Sequence, residues 1–385
     1  MRPASLSHPK THTAESHDLS DPAVRLLAEA PLVPGAAALL MECGGPVLTA
    51  CALGFSSVIC HNSSYPLHQS CLESAHKLGL AHVQCLLEDI PRAAGTDPDP
   101  VPNASPHLPV QGFDTVFYRL GRATAQINAA LREAFKLLRP GGQLLVAGHN
   151  REGIKSFAKR AEGHFGNMAI LEIKSSCRLL RFQKETPDPV EPVPDPAYFE
   201  YFPLELPLAD GTRLPYLTKP GIFSYRATDV GTALLARHLP DCAGMDVLDL
   251  GCGSGVLSLA AFRLGAKSVL ALDVNAIAVA CARENFKAAG WPGEARCAYL
   301  TEGVERAFDH IFSNPPFHQG SDTDFTLPEK ILDACLGKLK PGGRLFLVAN
   351  QFLDYRSPGL KRFAAVDLLA REKGYAVYRM QNPPA

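Results

Sequence analysis

The five residues Ser313-Asn314-Pro315-Pro316-Phe317 carry the most specific chemistry in the chain. Two consecutive prolines hold a loop extended and remove two amide donors. What remains is rich in acceptors: the side-chain oxygen of Asn314 and the backbone carbonyl of Pro315. Such a pair suits an amine on a planar π-system, because both of its N–H groups can donate at once. Phe317 offers a face on which a base can stack. An amine held in this way has its lone pair aimed at an in-line electrophile, so most of the rate would come from orientation. No strong general base is needed, since the amine proton becomes acidic only as the new bond forms.

A second cluster is Val247-Leu-Asp-Leu-Gly-Cys-Gly-Ser-Gly255, followed by the amphipathic run Val256–Leu264. The pattern reads as strand, tight turn and helix, the unit in which α/β proteins bring backbone close to a nucleotide-like ligand. Gly251, Gly253 and Gly255 permit that approach because they lack a Cβ. About twenty residues on, the apolar strand Ser268–Leu272 ends at Asp273, an acid placed to accept from ribose hydroxyls. The Asn-Pro-Pro-Phe loop follows the apolar strand Phe308–Phe312, so it falls at the same carboxyl edge of the sheet. A third segment, Lys219–Gly231, precedes the glycine turn. In it Phe223 and Ser224 lie between Gly221 and Gly231, and a helix is predicted over Thr232–Leu239.

These elements sit in a chain that repeats itself. Gly54, Val58, Asn62 and Gly79 match Gly265, Val269, Asp273 and Gly290 at a constant offset of 211. Phe113-Asp-Thr-Val-Phe117 matches Phe308-Asp-His-Ile-Phe312 at offset 195, and Pro140–Ala147 matches Pro341–Val348 at offset 201. So long a period implies duplication of a whole domain rather than a solenoid. The proline-rich loop Pro91–Pro109 is the obvious insertion in the first copy. That copy has lost its ligand chemistry. The strand acid and glycines become Leu40-Met-Glu-Cys-Gly-Gly-Pro46, Asp273 becomes Asn62, and Ser313–Phe317 becomes Tyr118-Arg-Leu-Gly-Arg122. The expected fold is α/β, with two tandem Rossmann-like domains of which the N-terminal one is degenerate. The expected divisions are a disordered tail over 1–20, the degenerate domain over 21–185, a Pro-rich acidic linker over 186–197 and the catalytic domain over 198–385. The second domain should open on a hairpin turning at Asp210-Gly211.

Composition sets outer limits. At 385 residues and 46% apolar content, two full cores are possible, and a net charge of −1 supplies no global field for nucleic acid. Arg151–Glu185 holds eight basic residues against four acidic ones, which reads either as a solvated helix face or as an RNA-backbone patch. The eleven cysteines show no Cys-x-x-Cys spacing, so buried thiols in a reducing compartment are expected and no metal site. No run is long and apolar enough to span a membrane, and no signal-peptide core opens the chain. A cytoplasmic protein is expected.

With Asp249 in the strand ahead of the glycines, the turn resembles motif I of class I S-adenosylmethionine-dependent methyltransferases. Asn-Pro-Pro-aromatic is the signature of methyl transfer to nitrogen on a planar group. The order Pro220-Gly-Ile-Phe-Ser224, Asp249–Ser258, Asn314-Pro-Pro-Phe-His318 and Pro341-Gly-Gly…Ala349-Asn350 resembles the bacterial ribosomal RNA guanine-N2 methyltransferases, and within them the small-subunit type. In the first half, Gly142–Lys155 joins the resemblance. It implies that Asp249, Gly251, Cys252, Gly253, Gly255, Asp273 and Val274 hold S-adenosylmethionine. Asp249 would meet the ligand's amino end through water, Tyr299 and Leu300 would flank the adenine, and Phe223 and Ser224 would close over the methionine. Asn314, Pro315, Pro316 and Phe317 would receive the guanine, with Asn314 also beside the cofactor. Implied partners are ribosomal RNA or an assembling subunit, with no membrane partner and a monomeric enzyme. Large-subunit RNA, a protein glutamine, and a non-catalytic assembly role are the alternatives. This chain departs from the family at Tyr225-Arg-Ala-Thr-Asp229, which bears on the RNA-facing contacts.

Overall fold

Two seven-stranded sheets with the same strand order form the cores of the two halves of the chain. The structure, a computed structural model, describes residues 20–89, 108–109, 111–121, 123–193, 198–315 and 326–384. Nearly all of the expected tail 1–20, most of the loop Pro91–Pro109, linker residues 194–197, and Pro316 and Phe317 lie outside the described residues.

The first sheet is built from β1 (Gly35–Met41), β2 (Phe55–Asn62), β3 (Val83–Leu87), β4 (Phe113–Arg119), β5 (Leu138–His149), β6 (Ala169–Lys174) and β7 (Cys177–Gln183). A hairpin, β8 (Phe202–Pro207) and β9 (Arg213–Thr218), leads into the second half. The second sheet contains β10 (Asp246–Leu250), β11 (Ser268–Asp273), β12 (Glu294–Cys297), β13 (Phe308–Ser313), β14 (Leu339–Asn350), β15 (Ala365–Glu372) and β16 (Tyr375–Gln381). The orders are β3-β2-β1-β4-β5-β7-β6 and β12-β11-β10-β13-β14-β16-β15. In each sheet six strands run in one direction, and the next-to-edge strand, β7 or β16, runs antiparallel to both neighbours. This is the doubly wound methyltransferase fold, present twice.

The central strands show why. Val247 to Leu250 are all buried, as a parallel strand covered by helices on both faces requires. Gly251 then breaks the strand, and the Val256–Arg263 helix packs back over the sheet. The hairpin turns as expected at Asp210-Gly211, where Asp210 Oδ1 accepts from Thr212 N and Gly211 takes φ 81°.

Three expectations shift. The helix predicted over Thr232–Leu239 runs from Val230 to Ala236, because Asp229 caps its start and Arg237 its end, the latter donating its N–H to the Leu235 carbonyl. Tyr198, expected to open the second domain, is fully buried in the first domain's core with Met41 and Tyr118. The linker also packs on the first domain, where Val190 N and Glu191 N donate to the carbonyls of His164 and Gly163. In the basic segment Lys184 is buried, and its Nζ donates to the Phe135 and Leu138 carbonyls. That lysine caps backbone and is not available to RNA. No helix among the described residues is long and apolar enough to cross a membrane.

Candidate active site

The carboxyl ends of β10, β11 and β13 open into a cleft of about 490 Å³. Its floor is the glycine turn. Gly251 takes φ 74° and Gly253 φ 53°, values that favour glycine. A Cβ on Gly251 would meet nothing within 4 Å, so the missing side chain leaves space in the cleft itself. Gly251 N and Cys252 N donate to the Leu272 carbonyl, which ties the turn to β11. Asp273, at the end of β11, lines the cleft, with Oδ2 accepting from Gly253 N and Oδ1 from Asn275 N, both at 2.9 Å. Burial raises its carboxyl above the ordinary range, opposed by these backbone donors. Cys252, Val274, Tyr299 and Leu300 also line the cleft. Leu300 holds the strained φ of 50° there.

Two expected residues sit elsewhere. Asp249 is fully buried beneath the turn and is not part of the cleft wall. Its Oδ2 accepts from the backbone N (3.0 Å) and the Oγ (2.6 Å) of Ser258, fastening the strand to the helix that follows. Burial raises this carboxyl to about 7, and its Oδ1 has no hydrogen-bond partner among the described residues. Gly255 is also off the cleft wall. A Cβ there would stand 2.8 Å from Ala282 Cβ, so this glycine allows two helices to pack. Ser258 went unnoticed in the sequence, although a serine one helical turn past a glycine cluster is a readable partner for a strand acid.

Asn314 faces the turn from the end of β13, with Pro315 beside it in the wall. The preceding Ser313 Oγ donates to the Leu250 carbonyl, locking the two strand ends together at 2.9 Å. Asn314 Nδ2 donates to Asp229 Oδ2 (2.9 Å) and to Thr232 Oγ1 (2.8 Å). Both amide hydrogens are therefore engaged, and Oδ1 is the part of the side chain left to an amine. Asp229 Oδ2 also accepts from Thr232 N, capping the Val230–Ala236 helix. Gly231 lets that helix start lie against β16, since a Cβ would come within 2.9 Å of the Tyr375 ring. Sequence reasoning singled out the segment Asp229-Val-Gly231 but missed the role of Asp229 and Thr232. Phe223 and Ser224 do line the cleft, Phe223 at the rim with 68% of its surface exposed and Ser224 at φ 57°.

The chain matches two family models: "Methyltransferase small domain" over residues 213–379 and "Methyltransferase small domain N-terminal" over 100–193. Among curated relatives, ribosomal RNA small subunit methyltransferase C of Pseudomonas paraeruginosa is 38% identical over 245 residues, covering 63% of this chain and 72% of the relative. The protein of the same name from Pseudomonas entomophila is 34% identical, covering 71% of this chain and 80% of the relative. The chain belongs to the ribosomal RNA small subunit methyltransferase C family. A solved structure of a T. thermophilus 16S rRNA N2 methyltransferase of this type, in complex with AdoMet and guanosine, superposes with a TM-score of 0.77 at 25% identity. That likeness covers 94% of this chain and 92% of the other, so both halves are included.

Within this chain the first half keeps the sheet and fills the space that the second half leaves open. The strand registers place Leu40 where the second half has Asp249 and Glu42 where it has Gly251. Glu42 takes φ 54° and puts a carboxylate where a glycine leaves room, and its Oε1 accepts from Ser63 N at 3.0 Å. Arg119 stands in the place of Asn314 and is held by Asp21 and Glu152, a structural ion network. Among the described residues no group of three His, Cys, Asp or Glu side chains is arranged to hold a metal.

Proposed function

We infer that the second domain transfers a methyl group from S-adenosylmethionine to the exocyclic N2 of a guanine in small-subunit ribosomal RNA. Bound S-adenosylmethionine supplies an electrophilic methyl on a sulfonium. The chain's residues fit that ligand. Gly251 leaves open space, and Asp273 in the cleft wall offers a fixed carboxylate for ribose hydroxyls.

The observation that carries the reading is the fixed amide of Asn314, in one cleft with Asp273. Asn314 Oδ1 and the Pro315 carbonyl would accept from the two N–H groups of a guanine amine, fixing its lone pair toward the methyl. The N–C bond forms as the S–C bond breaks, and the amine proton then leaves to solvent. Orientation in the cleft would provide most of the acceleration. A guanine inside a duplex has to leave its stack to reach Asn314, so the favoured target is a loop or flipped base in a partly assembled subunit, met by a monomeric enzyme. Exposed Phe223 at the rim supports this, as a surface on which an extruded base can stack.

The test is methyl transfer from labelled cofactor to 16S RNA, small subunits, large subunits and release-factor protein. Label should enter the N2 of a guanine in small-subunit RNA. Asn314→Ala should lower kcat by roughly 100-fold or more, as loss of a transition-state hydrogen bond does, with cofactor binding nearly unchanged. Label in protein, or full turnover by the variant, would overturn the assignment.

A further inference from the structure

The two halves meet at equivalent points. β2 and β11 each end in a short turn that opens a helix, Tyr65–Leu78 in the first half and Ala276–Ala288 in the second. Tyr65 N donates to the Val274 carbonyl at 2.7 Å, and Ala276 N donates to the Ser63 carbonyl at 2.8 Å. Ser64 and Asn275 lie opposite each other between these bonds as an antiparallel bridge. The offset of 211 pairs Tyr65 with Ala276 and Ser63 with Val274, so the two bonds are one bond repeated by a pseudo-twofold. Each donor is the first residue of its helix, where an N–H has no acceptor inside the helix. Each half supplies the other's missing acceptor.

On the second-half side the joint is built into the cleft. Val274 and Asn275 follow Asp273 directly, and both line the wall. Asn275 N orients Asp273 Oδ1, Asn275 Oδ1 caps Ile277 N, and Asn275 Nδ2 holds the Gly221 carbonyl at 2.9 Å. Gly221 leads into Ile222, Phe223 and Ser224, which also line the cleft. Just before it, Lys219 Nζ pairs with Asp89 of the first half, which also accepts from Tyr198 OH at 2.6 Å. Two walls of the cleft are thus anchored to a half that contributes no ligand group.

We propose that the degenerate half is a brace that sets the affinity for S-adenosylmethionine, acting through the reciprocal Ser63–Tyr65 and Val274–Ala276 joint. This rests on the S-adenosylmethionine reading of the cleft. The backbone groups of Tyr65 and Ala276 are positioning groups: they touch no substrate and act by holding Val274, Asn275 and so Asp273. A wall ordered before the ligand arrives spares binding the entropy of ordering it.

Proline substitution tests this cleanly. Proline is accepted at the first helical position and removes the N–H. It needs an extended residue before it, and Ser64 (φ −103°, ψ 126°) and Asn275 (φ −94°, ψ 115°) already are. Tyr65→Pro and Ala276→Pro each delete one joint bond, while Tyr65→Ala and Ala276→Ser keep the N–H. Full-length proteins are titrated calorimetrically with S-adenosylmethionine, melted without ligand, and assayed for kcat and KM. Both proline variants should raise Kd and KM for the cofactor about tenfold, with kcat at saturation within about twofold, and the controls should match the parent protein. Should a proline variant not fold, Tyr198→Phe loses only the bond to Asp89 and should raise Kd about threefold. An unmoved Kd, an equal effect of the controls, or a loss confined to kcat would overturn the brace. Failure of the parent protein to bind S-adenosylmethionine would instead overturn the cofactor reading.

Discussion

At the scale of single residues the site depends on how two side chains are held. Asn314 can receive an amine only if its oxygen faces the cleft, and Asp229 and Thr232 decide that by engaging its nitrogen. Thr232→Val keeps the shape and removes the acceptor, so kcat should fall about tenfold with cofactor Kd unchanged. Thr232→Ser should restore it, and a Kd that moves as far as kcat would contradict the arrangement. Asp249 gives a pH signature. Its folded carboxyl is raised to about 7 by burial, whereas the unfolded chain releases that proton near the ordinary value of about 4. The unliganded fold therefore loses stability as pH rises from about 4 to about 7, and the loss is complete above the folded value. Melting at pH 5.5 and 8 should show this loss for the parent protein and a smaller one for Asp249→Asn, because the buried Asp273 carboxyl is raised as well.

At the scale of elements, glycines of one motif turn out to serve different purposes. Gly251 leaves open space in the cleft, and Gly255 opens space for a helix. Gly255→Ala would drive a Cβ to 2.8 Å from Ala282 at φ 76°, which should destabilise the fold by about 2 kcal/mol or more. Gly251→Ala meets no protein atom and should cost the unliganded fold only about 1 kcal/mol, while weakening cofactor binding more strongly than the Gly255 change. Paired denaturation and binding curves check this, and equal ratios of the two effects would refute it. Much at this scale was readable beforehand. The buried strand Val247–Leu250, the glycine break and the hairpin at Asp210-Gly211 are local patterns whose causes lie within a few residues. The helix predicted from Thr232 was displaced because its start is fixed by the Asp229 cap and its position by Tyr375, far away in sequence.

At the scale of the whole molecule, a duplication has become a division of labour. One half lost its ligand space to Glu42 and its amine acceptor to Arg119, and it retains the sheet and the joint. The sequence by itself determined the repeat, the α/β class, the degenerate half, and the meeting of the glycine turn, Asp273 and Asn314-Pro315 at one sheet edge. These follow from period, spacing and strand direction, all of which act at short range or are fixed by topology. Only the tertiary structure decided that Asp249 braces Ser258 beneath the cleft, that Asp229 and Thr232 turn the Asn314 amide, that Tyr198 and Lys184 are buried, and that Ser63–Tyr65 clasps Val274–Ala276. Each of those is a hydrogen bond or contact whose two partners come together only after the sheets have packed. A linear pattern names such polar groups without saying which of them will meet.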